Sequence, residues 1–337
     1  MDNKLNIAIA GATGFVGLEL IKKIYSHPSV KIKYLFVKDS ICENIYENLP
    51  TEITKLPELK KINLNLINKC DVFFSSLPHS ELHKVAKDIS QKVIIIDLSA
   101  DFRLPIINTY QKWYNTEHKS PELLNKAVYG LSEVYRGQIK TSNLIACPGC
   151  YPTSILIPLI PLFKKKDIEI KNIIADSKSG YSGAGKKIYT NNQYPNLNKN
   201  IAIYGVGNHR HIPEINFYLS LHANQNVEVL FTPHLIPTFR GMLSTIYVKS
   251  KTSIDDIYNI LDKFYKNDPF IKIFKSKMIN TDQVINTNMM HISVNSSNTK
   301  DTFIISSSID NLLKGAAGQA IQNFNIRFNF DEQLGLI

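Results

Sequence analysis

A cysteine set where a strand turns into a helix is a place to expect nucleophilic chemistry, and Cys150 occupies such a place in this 337-residue chain. It sits in the run Ala146-Cys147-Pro148-Gly149-Cys150-Tyr151-Pro152-Thr153, after the apolar stretch Asn143-Leu144-Ile145 and ahead of a helix-like stretch. The positive end of a helix favours thiolate over thiol, and the thiolate is the attacking form. Other readings compete, since free cysteine is among the most buried residue types. Cys147-x-x-Cys150 also has the spacing of half a zinc site or a redox pair. Zinc needs two more ligands, and Cys42 and Cys70 form no second short-spaced pair. For a dithiol oxidoreductase, the rest of the chain lacks the small thioredoxin-like layout. On the cysteine alone, catalysis and core packing are evenly matched, and the other motifs decide.

The second reactive cluster is Gly207-Asn208-His209-Arg210-His211-Ile212-Pro213-Glu214-Ile215. A histidine beside a thiol takes its proton and returns one later, because its pKa lies near neutrality. An arginine there suits a carboxylate or phosphate. Neither a His-Glu-x-x-His helix nor a partner cluster accompanies it, so no metal site is expected. The loop of residues 175–185, with Ser182 and Gly183, suits backbone contact with a phosphate or a nicotinamide ring, and equally suits a plain turn.

Elements must position these groups. Asn6-Ile7-Ala8-Ile9-Ala10 predicts a buried parallel strand, residues 11–17 a tight turn, and residues 18–24 a helix. Gly11, Thr13, Gly14, Phe15, Val16 and Gly17 then form a dinucleotide-binding turn, spaced G-x-x-G-x-x-G rather than G-x-G-x-x-G. A second strand over residues 31–37 ends near the expected adenosine ribose. There Lys38 and Ser40 suit a 2′-phosphate and Asp39 a free 2′-hydroxyl, which leaves NAD and NADP open with a tilt to NADP. Strands over residues 71–76 and 93–97, with a helix over 80–89, continue a βαβ rhythm and predict a doubly wound parallel sheet. Leu77, Pro78, His79, Arg103 and Cys150 all follow predicted strands, so convergence in one crevice is expected, which favours catalysis over packing. Pro158 and Pro161 predict that the helix after Cys150 ends or bends before Pro158.

The chain resembles the N-acetyl-γ-glutamyl-phosphate reductases, from about residue 7 to about residue 325. The resemblance rests on residues 11–17, Leu77-Pro78-His79, Ala100-Asp101-Phe102-Arg103-Leu104, Pro148-Gly149-Cys150-Tyr151-Pro152-Thr153, residues 179–185, His209-Arg210-His211-Ile212-Pro213-Glu214-Ile215, residues 231–237 with Arg240-Gly241, and residues 309–315. It implies an α/β fold: a Rossmann-type parallel-sheet domain plus an α+β catalytic domain with a mixed sheet, as in semialdehyde dehydrogenases. The expected dinucleotide-binding domain is 1–149, completed by a C-terminal helix 311–337, and the catalytic, substrate and oligomerisation domain is 150–310. The implied reaction is NADPH-dependent reduction of N-acetyl-γ-glutamyl phosphate to N-acetylglutamate 5-semialdehyde through a Cys150 thioester, in arginine biosynthesis. The sibling aspartate-semialdehyde dehydrogenase activity is the alternative. His209 is the implied acid/base, with His211 as runner-up. Arg103 is implied as phosphate ligand, Arg210 and Glu214 as substrate contacts, and Asn311 as a neighbour of the nicotinamide. Cys147 stands where relatives often carry another residue, and a reversible Cys147–Cys150 disulfide is a further expectation.

The net charge of +10 raises nucleic acid as a partner. The lysines are scattered and no nucleic-acid motif appears, so an anionic small-molecule substrate and cofactor are expected instead. The longest apolar stretch, residues 155–162, is too short to span a bilayer and holds prolines. The first strand begins within a few residues of the start and the chemistry needs reduced thiols, which together predict a cytoplasmic setting. A homo-oligomer, a dimer or tetramer, is implied by the resemblance alone.

Overall fold

Short apolar runs that end in glycine or a turn become strands in the computed structural model, which describes residues 4–38, 44–165, 170–186, 196 and 199–337. In chain order the first part holds β1 (Leu5–Ala10), α1 (Phe15–Tyr25), β2 (Val30–Val37), β3 (Leu59–Lys61) and α2 (Leu64–Ile67). It continues with β4 (Val72–Ser75), β5 (Ile94–Asp97), α3 (Ile107–Tyr114), β6 (Val128–Tyr129), α4 (Ser132–Ile139) and β7 (Leu144–Ala146). Next come α5 (Cys150–Phe163), β8 (Lys171–Gly180), β9 (Ala202–Ile203), α6 (Ile212–Ala223) and β10 (Val229–Ile236). The rest is β11 (Met242–Lys249), α7 (Ile254–Tyr265), β12 (Ile271–Lys275), β13 (Met290–Ser296), β14 (Thr302–Ile309) and α8 (Gly318–Arg327).

Two compact units result, Met1–Pro148 with Ala316–Ile337, and Gly149–Gly315. The first is built on a parallel sheet of order β3-β2-β1-β4-β5-β7-β6. β4 and β5 are buried at every position, which is why they read as continuous apolar runs rather than alternating ones. α8 packs on α1, α4 and β5 and so completes this unit. Residues 80–89, expected as a helix, form only two short 3₁₀ turns. Ser80 has φ +68°, and the N–H groups of Ser80 and His83 donate to the Asp101 carboxylate at 2.7 and 3.1 Å. A side chain from another loop takes donors that a helix start would leave open, and the regular helix is not built.

The second unit is a mixed sheet of order β12-β13-β14-β11-β8-β10-β9. β11 alternates buried and more exposed positions along its length, as a strand with one covered face should, and α5 packs on β11 and β14. The expectation that α5 stops or bends before Pro158 is corrected: the helix runs through both prolines to Phe163. Each proline removes the N–H that would have satisfied the carbonyl four residues earlier. Hydroxyls from elsewhere in the unit replace both donors. Ser307 donates to the Ser154 carbonyl at 2.6 Å, and Tyr265 donates to the Ile157 carbonyl at 2.6 Å. The return to the first unit starts at Ala316 rather than at Asn311. Asn311 is held inside the second unit, its Oδ1 accepting from the Gly241 N–H at 2.8 Å and its Nδ2 donating to Ser182 Oγ at 2.9 Å.

Candidate active site

In the first unit the glycine turn leads directly from β1 into α1. Gly11 has φ +73°, and a Cβ there would lie 2.2 Å from the Ser76 carbonyl oxygen. A Cβ on Gly17 would lie 2.1 Å from the Gly11 carbonyl oxygen, so turn and helix meet backbone to backbone. Gly14 caps α1 without a side-chain hydrogen bond, and no acidic residue stands in the first turn. An uncapped, uncharged helix start offers backbone N–H groups and a positive dipole end to an anion. Thr13, Gly14, Phe15 and Val16 are half-buried around it. These residues fit a dinucleotide pyrophosphate.

Lys38 is exposed, with Nζ 3.0 Å from Glu81 Oε1. Ser40, like Asp39 and Cys42, lies outside the described residues. Leu77 is buried and Pro78 exposed, just past β4. Arg103 is 5% exposed, and its Nε and Nη2 donate to the carbonyls of Cys147 and Leu98 at 2.7 and 2.8 Å. These bonds tie the loop after β5 to the end of β7.

Sequence reasoning missed the buried polar group beneath that loop. Asp101 accepts from the Ser80 and His83 backbones and, at 2.9 Å, from the Tyr110 hydroxyl. The rings of His83 and His118 stack 4.6 Å apart, both buried and both held below the usual histidine range by that burial. Asp97 is wholly buried, and burial followed by the Asp101 charge pushes its carboxyl up to about 7. Only the segment Ala100-Asp101-Phe102-Arg103-Leu104 marked this cluster in the sequence, because its other members are scattered.

Cys147 is 1% exposed, and burial pushes its thiol up to about 12. Asn323 Nδ2 lies 3.6 Å from its sulfur. A thiol so held is protonated at neutral pH and is a poor nucleophile.

In the second unit, Cys150 is the first residue of α5 and is half-buried. Gly149 caps that helix with no side-chain hydrogen bond. Instead, the Gly149 N–H donates to Glu214 Oε1 at 2.9 Å, and Glu214 is 1% exposed. His211 caps α6, and its ring lies against Gly149: a Cβ on that glycine would stand 2.3 Å from His211 Nε2. So α6 brings a histidine and a carboxylate to the residue before the cysteine.

His209 is placed differently. Its ring lies among those of Tyr151, Tyr204, Phe231 and His211, with centroids between 4.8 and 5.5 Å away. Its Nδ1 accepts the His211 N–H at 3.1 Å, which puts the neutral ring's proton on Nε2. Burial, then the charge of Arg210, lowers its pKa to about 4. Arg210 is exposed. Ser182 is 3% exposed and bonded to Asn311, and Gly183 lies beside that same amide. Among the described residues no group of three or more His, Cys, Asp or Glu could hold a metal ion, and no helix is long and apolar enough to cross a membrane.

Residues 6–142 match the family described as semialdehyde dehydrogenase, NAD binding domain, and residues 150–311 match semialdehyde dehydrogenase, dimerisation domain. The chain is 43% identical to the N-acetyl-gamma-glutamyl-phosphate reductase of Ehrlichia ruminantium (strain Gardel), covering 100% of this chain and 99% of that protein. It is 43% identical to the enzyme of that name from Clostridium beijerinckii, covering 98% of each. A probable chloroplastic N-acetyl-gamma-glutamyl-phosphate reductase of Oryza sativa subsp. japonica is 40% identical over 99% of this chain and 81% of that one. Among solved structures, aspartate semialdehyde dehydrogenase II of Vibrio cholerae complexed with ASA superposes with a TM-score of 0.70 at 18% identity, covering 97% and 98% of the two chains. The Candida albicans aspartate semialdehyde dehydrogenase with NADP gives 0.64 at 17% identity, covering 96% and 98%. At these identities the likeness speaks for the fold alone.

Proposed function

The chain belongs to the N-acetyl-γ-glutamyl-phosphate reductases of the semialdehyde dehydrogenase family, and from that premise we propose that it reduces N-acetyl-γ-glutamyl phosphate to N-acetylglutamate 5-semialdehyde through a Cys150 thioester. The observation that carries the mechanism is Cys150 at the uncapped start of α5, beside a glycine against which the His211 ring is packed.

The Cys150 thiolate attacks the acyl carbon, a C–S bond forms, and the C–O bond to phosphate breaks as phosphate leaves. Backbone N–H groups at the helix start face the oxyanion that develops on the carbonyl oxygen. Bound nicotinamide supplies a hydride equivalent. When the product carbonyl re-forms, the C–S bond breaks and Cys150 returns as thiolate. An imidazole beside Cys150 takes the thiol proton before attack and passes it to the departing phosphate. His211 fits that role by its position against Gly149. His209, with a pKa near 4 and its Nδ1 engaged, suits the orienting of the His211 backbone. This reverses the order of the two histidines implied by the resemblance.

The glycine turn of residues 11–17 would hold the pyrophosphate, and exposed Lys38 favours NADP over NAD. Arg103, Arg210 and Glu214 remain proposals as substrate contacts. The bonds of Arg103 to two carbonyls and of Glu214 to Gly149 support positioning roles for both. The match to a dimerisation domain supports a homo-oligomer, a dimer or tetramer. Dependence on a reduced thiol supports a cytoplasmic setting and a place in arginine biosynthesis is consistent with the relatives' names.

The test is phosphate-dependent reduction of NADP⁺ by N-acetylglutamate semialdehyde, with aspartate semialdehyde in parallel and Cys150→Ser as control. Turnover of the acetylated aldehyde, absent in the control, is expected. Preference for aspartate semialdehyde would move the chain to the sibling activity.

A further inference from the structure

The backbone of Gly315 comes so close to Cys150 that a side chain there would meet the cysteine. A Cβ on Gly315 would lie 2.8 Å from Cys150 Cβ and 3.3 Å from Cys150 Cα. Gly315 lies in a π-helical turn, Leu313–Ala317, and its N–H donates to the Asp310 carbonyl five residues back at 3.0 Å. Single π turns carry a local cost and are frequent at functional sites. Here the cost is met by Asp310, which is 0% exposed. Its Oδ1 accepts the N–H groups of Leu312 and Leu313 at 2.8 and 3.1 Å. Its Oδ2 accepts the Asn286 N–H at 2.7 Å and Arg240 Nη1 at 3.1 Å, and the same Nη1 donates to Asn286 Oδ1 at 2.9 Å. Every acceptor face of this buried carboxylate that the geometry uses fixes the 310–315 segment in place, and that segment ends against the cysteine.

We propose that Asp310 and Gly315 are positioning residues for Cys150: Asp310 holds the π turn, and the backbone of the side-chain-free Gly315 stands close beside the cysteine's Cβ so that the sulfur is kept in one staggered position. The thiol has three staggered choices about its Cα–Cβ bond, and a wall against the Cβ removes those that point at it. Fixing the sulfur before substrate arrives raises the fraction of encounters in attacking geometry, and misplacement by about 1 Å costs on the order of 100-fold. The inference rests on the reading of Cys150 as nucleophile.

The test measures two rates in wild type, Gly315→Ala and Asp310→Asn: Cys150 alkylation by iodoacetamide against pH, and NADP⁺ reduction. Asp310→Asn retains an oxygen acceptor for Leu312 and Leu313 and removes the charge that faces Arg240. The expected result for Gly315→Ala is a fall in kcat on the order of 100-fold, with KM for the aldehyde and NADPH binding within about twofold. The pH midpoint of alkylation shifts as well, which a merely structural loss of folded protein would not produce. Asp310→Asn is expected to give a smaller loss, about tenfold, in the same direction. A cooperatively melting Gly315→Ala protein with wild-type kcat and alkylation overturns the proposal. If that variant fails to melt cooperatively, wild-type values in Asp310→Asn overturn it instead. Wild-type inactivity towards both aldehydes, with alkylation still altered in the variants, would sink the reductase reading and leave the positioning role standing.

Discussion

The starts of α1 and α5 have nearly the same backbone. Gly14 caps α1 at φ −73°, ψ 160° and Gly149 caps α5 at φ −68°, ψ 157°, neither with a side-chain hydrogen bond and neither followed by an acidic residue in the first turn. α7 starts differently, with Ser253 accepting from the Asp256 N–H and with Asp255 and Asp256 in the first turn. Ser253 and those acids give α7 the side-chain cap and the negative charge that the other two helix starts lack. Between α1 and α5 the difference is what surrounds the opening. At α1 glycines bring backbone against backbone and leave a smooth cradle for a phosphate. At α5 the first residue is a thiol, and α6 adds a histidine and a buried carboxylate beside the cap. The same uncapped geometry thus stands in two different surroundings, which the proposed function assigns to binding in one place and to covalent chemistry in the other.

Substitutions that exchange or remove these surroundings break the comparison in graded ways. Cys150→Ser is expected to lower phosphate-dependent NADP⁺ reduction by at least about 1000-fold while NADPH binding persists. Residual turnover near wild type would end the covalent mechanism. His211→Asn is expected to cost on the order of 100- to 1000-fold in kcat. His209→Asn is expected to cost about tenfold; the opposite ranking would restore His209 as the acid/base.

Gly17→Ala is expected to weaken NADPH binding by on the order of 100-fold, read by fluorescence titration, because its Cβ would overlap the Gly11 carbonyl. Cys150 alkylation in that variant should stay at the wild-type rate, since the substitution alters the turn before α1 and leaves the residues around the start of α5 unchanged.

His209 also gives a stability signature. Its folded pKa, about 4, lies below the usual value of 6.5, so the unfolded chain takes up the proton first as pH falls. Its contribution makes the protein progressively less stable from about pH 6.5 down to about pH 4 and has no effect above that window. Urea unfolding of His209→Asn across this range should show a shallower pH slope than wild type.

Tyr265→Phe leaves the Ile157 carbonyl without its donor and is expected to lower stability by about 1–3 kcal/mol with activity unchanged. Cys147→Ser should have the smallest effect of all, with turnover within about twofold. Mild peroxide followed by thiol counting checks the expected disulfide. The burial and raised pKa of Cys147 argue for loss of the free thiol, by oxidation to the sulfenic acid, at Cys150 alone.

Much of the fold was legible because its signals are local. The apolar strand, glycine turn and helix at the start of the chain use contiguous residues, and so does the βαβ rhythm up to β7. The failures involve distant partners. Pro158 and Pro161 predict a broken helix, and only Ser307 and Tyr265, more than a hundred residues away, restore its missing donors. Residues 80–89 have a helical composition, and Asp101 diverts their N–H groups. Likewise the two histidines of His209-Arg210-His211 are equivalent in sequence, and only their packing separates a ring against Gly149 from a ring sunk among Tyr151, Tyr204 and Phe231.

The sequence by itself determined the chemistry on offer: a thiol at a strand-to-helix turn, a glycine-rich anion cradle, and two histidines ready to move protons. These follow from residue type and short-range spacing, which set backbone freedom, helix polarity and intrinsic pKa. Tertiary structure alone decided which thiol is sealed in and which is half-exposed, which histidine stands beside the cysteine's cap, and how a proline-containing helix survives. Those outcomes depend on burial and on hydrogen-bond partners far away in the chain, and desolvation is a property of the folded surroundings rather than of any residue.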